Sequence, residues 1–450
     1  MKSRSKWYWS AVVAAGLVFI YGVLLFALPA AGPRLQVLPD GSTLSIASVS
    51  LTTNTTVTVA GVAGWRRRLF PLVPAQVRSR LGWLAGGGSI TLGGEPGQTN
   101  LVVALVGQLK SRTSLTAPRL QVRDEAGNWF DAVGNQGSMK SFAAAGGVVA
   151  LEAWSVPMFP RRVRRLGLRV AAQSGAEPQT VAEFTVPNPA LRDYPVWRAE
   201  PLPNTQRSGD LEVTLRSWRA ENGPAAGRQP TFTRAAFALG RTGGGDPGTW
   251  AVAALLVSDP TGNLRNAFEF SPLGVERTNL NEIVLPGALW PGESAWKLRV
   301  ELSPTAGFAP EDVVTLAGVP RPAATNTALL NWTTNLAGGR LKLIALSGEK
   351  STQPGNLNYA MLPGRVNLSV EAALSPGAPA RRLRLVAVVD DAGRPVGEIA
   401  ANADRSGLQA MYGFTPAAEA RSLTITFALP ASRFVEFLAR PEFPARTAKP

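Results

Sequence analysis

The stretch Leu120-Gln-Val122-Arg-Asp124-Glu-Ala-Gly127-Asn128 recurs twice further along the chain. It returns as Leu255-Leu-Val257-Ser-Asp259-Pro-Thr-Gly262-Asn263 and as Val386-Ala-Val388-Val-Asp390-Asp-Ala-Gly393-Arg394. Each copy is an apolar strand running into Asp-x-x-Gly. In such a hairpin the Asp side chain bonds the turn backbone and Gly supplies the positive φ. The spacings, about 135 and 131 residues, are those of whole domains.

Working outward, other landmarks keep the same order. An opening strand around Leu44-Ser-Ile46 matches Leu211 to Leu215 and Leu341 to Leu343. Strands at 101–105, 234–239 and 366–370 precede each hairpin, and alternating strands at 166–170, 298–302 and 423–427 follow it. Each unit closes on a short strand before proline, at 184–187, 316–320 and 437–441. Alternation of this kind marks strands with one buried face. Seven or so short strands per unit point to an all-β chain of three tandem immunoglobulin- or fibronectin-like β-sandwiches.

The expected boundaries are 34–188, 206–320 and 329–443, followed by a tail at 444–450. Pro-rich connectors at 189–205 and 321–328 read as stiff linkers. From opening strand to hairpin Asp the count is 48 and 49 residues in the second and third units but 80 in the first. The first unit therefore carries an insertion of roughly 30 residues within about 55–98.

Ahead of the repeats, a basic tip (1–6) with Lys2, Arg4 and Lys6 precedes an uncharged run from Trp7 to Leu28, closed by Pro29. Twenty-two helical residues would span about 33 Å, enough for a hydrocarbon core of about 30 Å. The segment 7–29 thus reads as a transmembrane signal anchor. Trp7, Tyr8 and Trp9 would sit at the interface, with Phe19, Leu25 and Leu28 in the lipid. The flanking cations place the N-terminus in the cytoplasm and the bulk outside. A cleaved signal peptide and secretion is the competing reading, although its apolar core should be shorter.

The 450 residues include no Cys and no His. Disulfides, thiol nucleophiles, Ser-His-Asp chemistry and His-ligated metals are therefore excluded. Neither cofactor nor metal is expected, and no catalytic residue is assigned. A hydrolase working through paired carboxylates is the surviving enzymatic alternative. Two Ser-x-x-Lys matches, Ser294 to Lys297 and Ser347 to Lys350, lack the partner motifs of acyl-transfer enzymes. Asp124, Glu125, Asn128 and Asp131 hold oxygen ligands suited to Ca²⁺, but the turn itself explains them more simply.

The net charge of +15 favours anionic partners. Within the insertion, Trp65, Arg66, Arg67, Arg68, Arg78 and Arg80 form a candidate contact with an anionic lipid surface or wall polymer. The runs Arg161 to Arg165 and Arg381 to Arg384 read as charges guarding strand edges. The expected role is protein binding or scaffolding at a bacterial-type envelope, with the membrane and a protein as partners and nucleic acid excluded. Binding of wall polysaccharide is the alternative, for which Trp129, Trp250 and Trp290 beside turns are the candidate stacking residues.

Overall fold

The computed structural model describes residues 35–443 apart from 54–55, 60–87, 92–98, 111–117, 124–126, 128, 133–134, 137–139, 145–146, 175–176, 223–229, 269–280, 287–291, 337, 350–363, 398 and 405. The described residues form an all-β protein of antiparallel sheets, without an α-helix among them. No described helix is long and apolar enough to cross a membrane. The expected anchor at 7–29 and the Arg/Trp cluster at 65–80 lie outside the described residues. The chain divides into two compact units, residues 1–193 and 194–450.

In the first unit the strands are β1 (Leu35–Val37), β2 (Thr43–Thr52), β3 (Thr56–Val59), β4 (Gly88–Thr91), β5 (Asn100–Leu109) and β6 (Arg119–Arg123). They continue as β7 (Trp129–Asp131), β8 (Asn135–Gln136), β9 (Lys140–Ala144), β10 (Gly147–Val156), β11 (Arg165–Ser174) and β12 (Glu177–Pro187). One sheet runs β1-β2-β5-β10, with β8 and β9 both on the far side of β10, and the other runs β12-β11-β6-β7. Leu44, Leu105, Trp154, Leu120, Leu168 and Phe184 share one buried cluster, so the two sheets enclose a common core. β5 is unusual. Val102, Ala104 and Val106 are as buried as Leu101, Val103 and Leu105, which matches its unbroken apolar sequence.

In the second unit the strands are β13 (Asn204–Ser208), β14 (Leu211–Asn222), β15 (Pro230–Arg241), β16 (Trp250–Ser258), β17 (Leu264–Phe268), β18 (Asn281–Pro286) and β19 (Trp296–Pro304). β20 (Val313–Pro320) closes the second repeat in sequence, and the third repeat supplies β21 (Thr327–Leu336), β22 (Gly339–Gly348), β23 (Val366–Leu374), β24 (Arg384–Asp390), β25 (Ala400–Ala403), β26 (Gln409–Phe414), β27 (Ser422–Ala428) and β28 (Arg433–Ala439). The sheets are β13-β14-β15-β18, β17-β16-β19-β28, β21-β22-β23-β26-β25 and β20-β27-β24.

The three repeats superimpose in topology. The orders β1-β2-β5-β10, β13-β14-β15-β18 and β21-β22-β23-β26 are equivalent. A bulge falls at the same place in each, skipping Ala47, Arg216 and Ile344 where the second and third strands of these sheets pair. An extra residue that recurs at one position three times is a built feature of the repeat.

The closing strands break the pattern. In the first repeat β12 pairs with its own β11. By sequence order β20 should pair with β19 and β28 with β27. Instead β20 pairs with β27, and β28 pairs with β19. The second and third repeats have exchanged their last strands, so residues 194–450 form one unit rather than two beads on a linker. Phe437 of β28 is buried in the second repeat, its ring 6.2 Å from that of Phe237. Leu316 and Val319 of β20 join the third repeat's core beside Leu341 and Phe427. The residues expected as the first connector are likewise engaged. The Glu200 N–H donates to the Leu438 carbonyl at 2.7 Å, and Ser294 Oγ donates to the Trp197 carbonyl at 2.6 Å.

Candidate functional site

The repeated hairpin is a structural device in the two copies whose Asp is described. Asp259 is buried, and its Oδ1 accepts from the Thr261 N–H, the Thr261 hydroxyl and the Asn263 N–H at 2.7–3.0 Å. Asn263 Nδ2 donates to its other oxygen at 2.6 Å. Asp390 does the same work, accepting from the N–H groups of Ala392 and Arg394 and from Arg394 Nε. Burial would raise the Asp390 carboxyl, but the Arg394 N–H, the Arg394 side chain and the Ala392 N–H together hold it below its usual range. Gly262 and Gly393 take φ of +94° and +75°, and Gly127 takes +86° in the first copy. Asp124, Glu125 and Asn128 lie outside the described residues. The carboxylates of Asp259 and Asp390 spend their lone pairs on backbone and side-chain donors of their own turns.

Of the two Ser-x-x-Lys matches, the first is spent on packing, and Lys350 of the second lies outside the described residues. Lys297 sits 5.6 Å from the Trp197 ring and 3.3 Å from Glu436, while Ser294 bonds backbone. Ser347 lies within β22.

A dense polar constellation lies where the exchanged strands cross. Residues 305–312 carry the chain from β19 into β20, and 429–432 carry it from β27 into β28. The Leu429 N–H donates to the Asp312 carbonyl at 2.8 Å. Arg381 clamps this pair, donating to the Leu429 carbonyl at 2.6 Å and to the Asp312 carboxylate. Arg382, itself buried, donates through Nε and Nη2 to the two oxygens of Glu301 at 2.9 and 2.6 Å. Ser432 Oγ gives Glu301 a third bond at 2.6 Å, and Arg384 Nε reaches Ser303 Oγ at 3.3 Å. The expectation that Arg381 and Arg382 are edge charges on the surface is therefore corrected. They are internal ties, because only guanidinium offers several donors in a fixed fork.

Both ends of β28 are pinned to the second repeat. Arg433 donates to Asp210 at 2.6 Å and stacks 4.6 Å over Trp250. The Arg433 hydrogen bond, with Arg241 beside it, holds the Asp210 carboxyl below its usual range. Past the other end, Glu442 bonds the Trp218 carbonyl through its N–H, accepts from the Ala220 N–H and pairs with Arg219.

Arg161 to Arg165 are also placed differently from the expectation. Arg161 is buried, donates to the Thr99 carbonyl at 2.8 Å and lies 4.8 Å from the Phe159 ring. Asn188 Nδ2 brackets this turn through the carbonyls of Pro160, Arg161 and Val163. Arg165 starts β11, which lies between β12 and β6, so no edge is being guarded there.

The outward face of β12-β11-β6-β7 is built differently. Arg119, Gln121 and Arg123 alternate outward on β6 between buried Leu120 and Val122. Arg165, Gly167 and Arg169 do so on β11 between buried Leu166, Leu168 and Val170. Arg169 stacks 4.1 Å over the Trp129 ring and pairs with Glu183, while Arg123 lies 5.8 Å from the same ring. Gly167 makes room for this stack: a Cβ there would stand 2.8 Å from the Arg123 Cβ and 3.3 Å from the Trp129 ring.

Among the described residues of the first unit, Glu152 is the one buried carboxyl. It lies on β10 opposite Leu105 and shares the inward parity of Ala150 and Trp154. Burial pushes it up to about 7.

No protein-family model matches the chain, and neither a curated protein nor a solved structure resembles it significantly.

Proposed function

We propose that this chain is a non-enzymatic, membrane-anchored scaffold that presents immunoglobulin- or fibronectin-like β-sandwiches to a protein partner outside the membrane. The observation that carries this reading is the strand exchange between the second and third repeats. A chain that donates a closing strand in each direction removes the hinge expected between tandem domains, and the Glu301–Arg382 tie locks the crossing. Stiffness of this kind serves a protein that holds surfaces at fixed separation. The polar constellations support the same conclusion: the turn carboxylates of Asp259 and Asp390, Glu301 and the Ser294–Lys297 pair are each engaged in holding the fold. The run Trp7 to Leu28 supplies the anchor.

Cross-linking in native membranes followed by affinity purification of the full chain tests the scaffold. A partner recovered in near-stoichiometric amount is the expected result, and recovery of the chain alone would overturn it.

A second reading, contact with an anionic lipid or wall polymer, is favoured by where the charge sits. Residues 1–193 hold 20 Lys and Arg against 9 Asp and Glu, whereas residues 194–450 hold 26 against 22. The cationic excess is thus concentrated next to the proposed anchor.

A further inference from the structure

We propose that the outward face of β12-β11-β6-β7 lies against an anionic lipid surface, with Arg119, Arg123 and Arg165 as its contacts. This rests on the anchored reading given above and names the surface that the first unit turns toward the bilayer.

Arg119, Arg123 and Arg165 are exposed. Arg119 and Arg123 stand four residues apart on β6, roughly 13 Å along the strand. Arg123 is directly opposite Gly167 on β11, and Arg165 lies two residues before Gly167 on the same face. Three guanidinium groups are therefore spread along two neighbouring strands of one sheet face. Among the described residues, few acidic ones share this face, and Asp124 and Glu125 lie outside the described residues. Glu183 is taken by Arg169, and Asp131 stands opposite Gln121 in the register at the sheet's end. Arg164 is exposed beside Arg165 and adds to the cationic rim.

The geometry separates lipid from sugar. A polysaccharide reader on a flat sheet needs an open aromatic face. Among the described residues Trp129 is the aromatic ring on this face, and Arg169 already lies 4.1 Å over it while Gly167 admits it to the sheet surface. The ring acts as a platform for guanidinium groups. Spaced cations on an open sheet face of an anchored chain suit a laterally continuous layer of phosphate headgroups, whose attraction falls off within a Debye length.

The chain has no Cys, so Thr185→Cys on β12, opposite Gly167, gives a unique labelling position on this face. The full chain carrying a fluorophore there is reconstituted into phosphatidylcholine vesicles, with or without phosphatidylglycerol, each holding a headgroup nitroxide quencher. Quenching is expected in the anionic vesicles, weak in the neutral ones and abolished by molar salt. The variant R119S/R123S/R165S should weaken the interaction by about a hundredfold, at roughly fivefold per cation. These side chains are exposed, so circular dichroism of the variant should match the parent.

Equal, salt-independent quenching in both vesicle types would overturn the lipid-facing surface while leaving the anchor intact. Flotation with anionic vesicles alone would support the face and overturn the anchor, and flotation with neither would overturn both. Release from anionic vesicles by an acidic polysaccharide, with the variant binding that polymer as well as the parent does, would also overturn the proposal.

Discussion

Arg382 and Glu301 join two repeats that local sequence would keep apart: both arms of the guanidinium meet both oxygens of the carboxylate, at 2.9 and 2.6 Å. Glu301 belongs to β19 and Arg382 stands just ahead of β24, so the pair spans the two repeats that exchange strands. Both side chains are nearly inaccessible, at 12% and 8% exposure, which removes the solvent that would otherwise screen them.

Removing one partner of this pair leaves an unpaired charge in the interior. Glu301→Gln and Arg382→Met should each destabilise residues 194–450 by about 3–5 kcal/mol. The double variant Glu301→Met/Arg382→Met should recover much of that loss, because no orphaned charge remains. Urea unfolding followed by Trp fluorescence measures all three. A double variant as damaged as the sum of the singles would show that the pair is not the coupling element.

Glu152 predicts an unusual pH dependence. Its folded value of about 7 lies above the ordinary 4.5 because burial disfavours the charged form. Below pH 4.5 the carboxyl is protonated in both states and destabilises nothing. Between 4.5 and 7 the unfolded chain releases its proton first, so stability of the first unit falls with rising pH. Above 7 the loss is complete, at about 3 kcal/mol. Glu152→Gln should remove this slope and stabilise the protein at pH 8, with little change at pH 4. Thermal melts of parent and variant across that range provide the comparison, and parallel curves would refute the assignment.

The hairpins were legible because their signal is local. Asp, a two-residue gap and Gly specify the turn within five residues, and Asp259 and Asp390 hold it as expected. The strands flanking them were legible for the same reason, since alternation needs only one buried face. The exchange was not legible. β20 and β28 are short strands before proline with interchangeable patterns, and either could pair with β19 or β27 by local rules. What selects the arrangement is contact across strands. Glu436 of β28 stands opposite Arg299 and reaches Lys297 at 3.3 Å, while Thr315 of β20 meets Thr426 of β27 at 3.0 Å. The alternative pairing would set Glu436 among threonines and leave Lys297 and Arg299 without it. The burial of Arg382 is equally illegible locally, because it depends on a carboxylate some 80 positions away.

The Asp259 turn should be among the more sensitive single positions in the second repeat. Its carboxylate collects four hydrogen bonds from Thr261 and Asn263 while buried. Asp259→Ala strands those donors and should cost about 2–3 kcal/mol. Gly262→Ala should cost less, about 1 kcal/mol, through strain at φ +94°. Matching costs for the two, measured by chemical denaturation, would mean that the backbone conformation dominates over the carboxylate.

Ending the chain after Ser432 distinguishes the exchanged arrangement from three independent domains. If each repeat closed on its own strand, loss of β28 would damage the third repeat alone. In the exchanged fold β28 completes the β17-β16-β19 sheet, and its Phe437 fills the second repeat's core against Phe237. Losing Phe437 and Val435 from that core alone should cost several kcal/mol, at about 1.5–3 kcal/mol for each buried apolar side chain. Hydrogen exchange in the truncated chain should therefore rise first along β19, where backbone bonds to β28 are lost, and then along its neighbour β16. The β20-β27-β24 sheet keeps all its strands and should stay protected longer. Exchange that rises in β27 while β19 remains protected would mean that β28 closes its own repeat in solution and that no crossing stiffens residues 194–450.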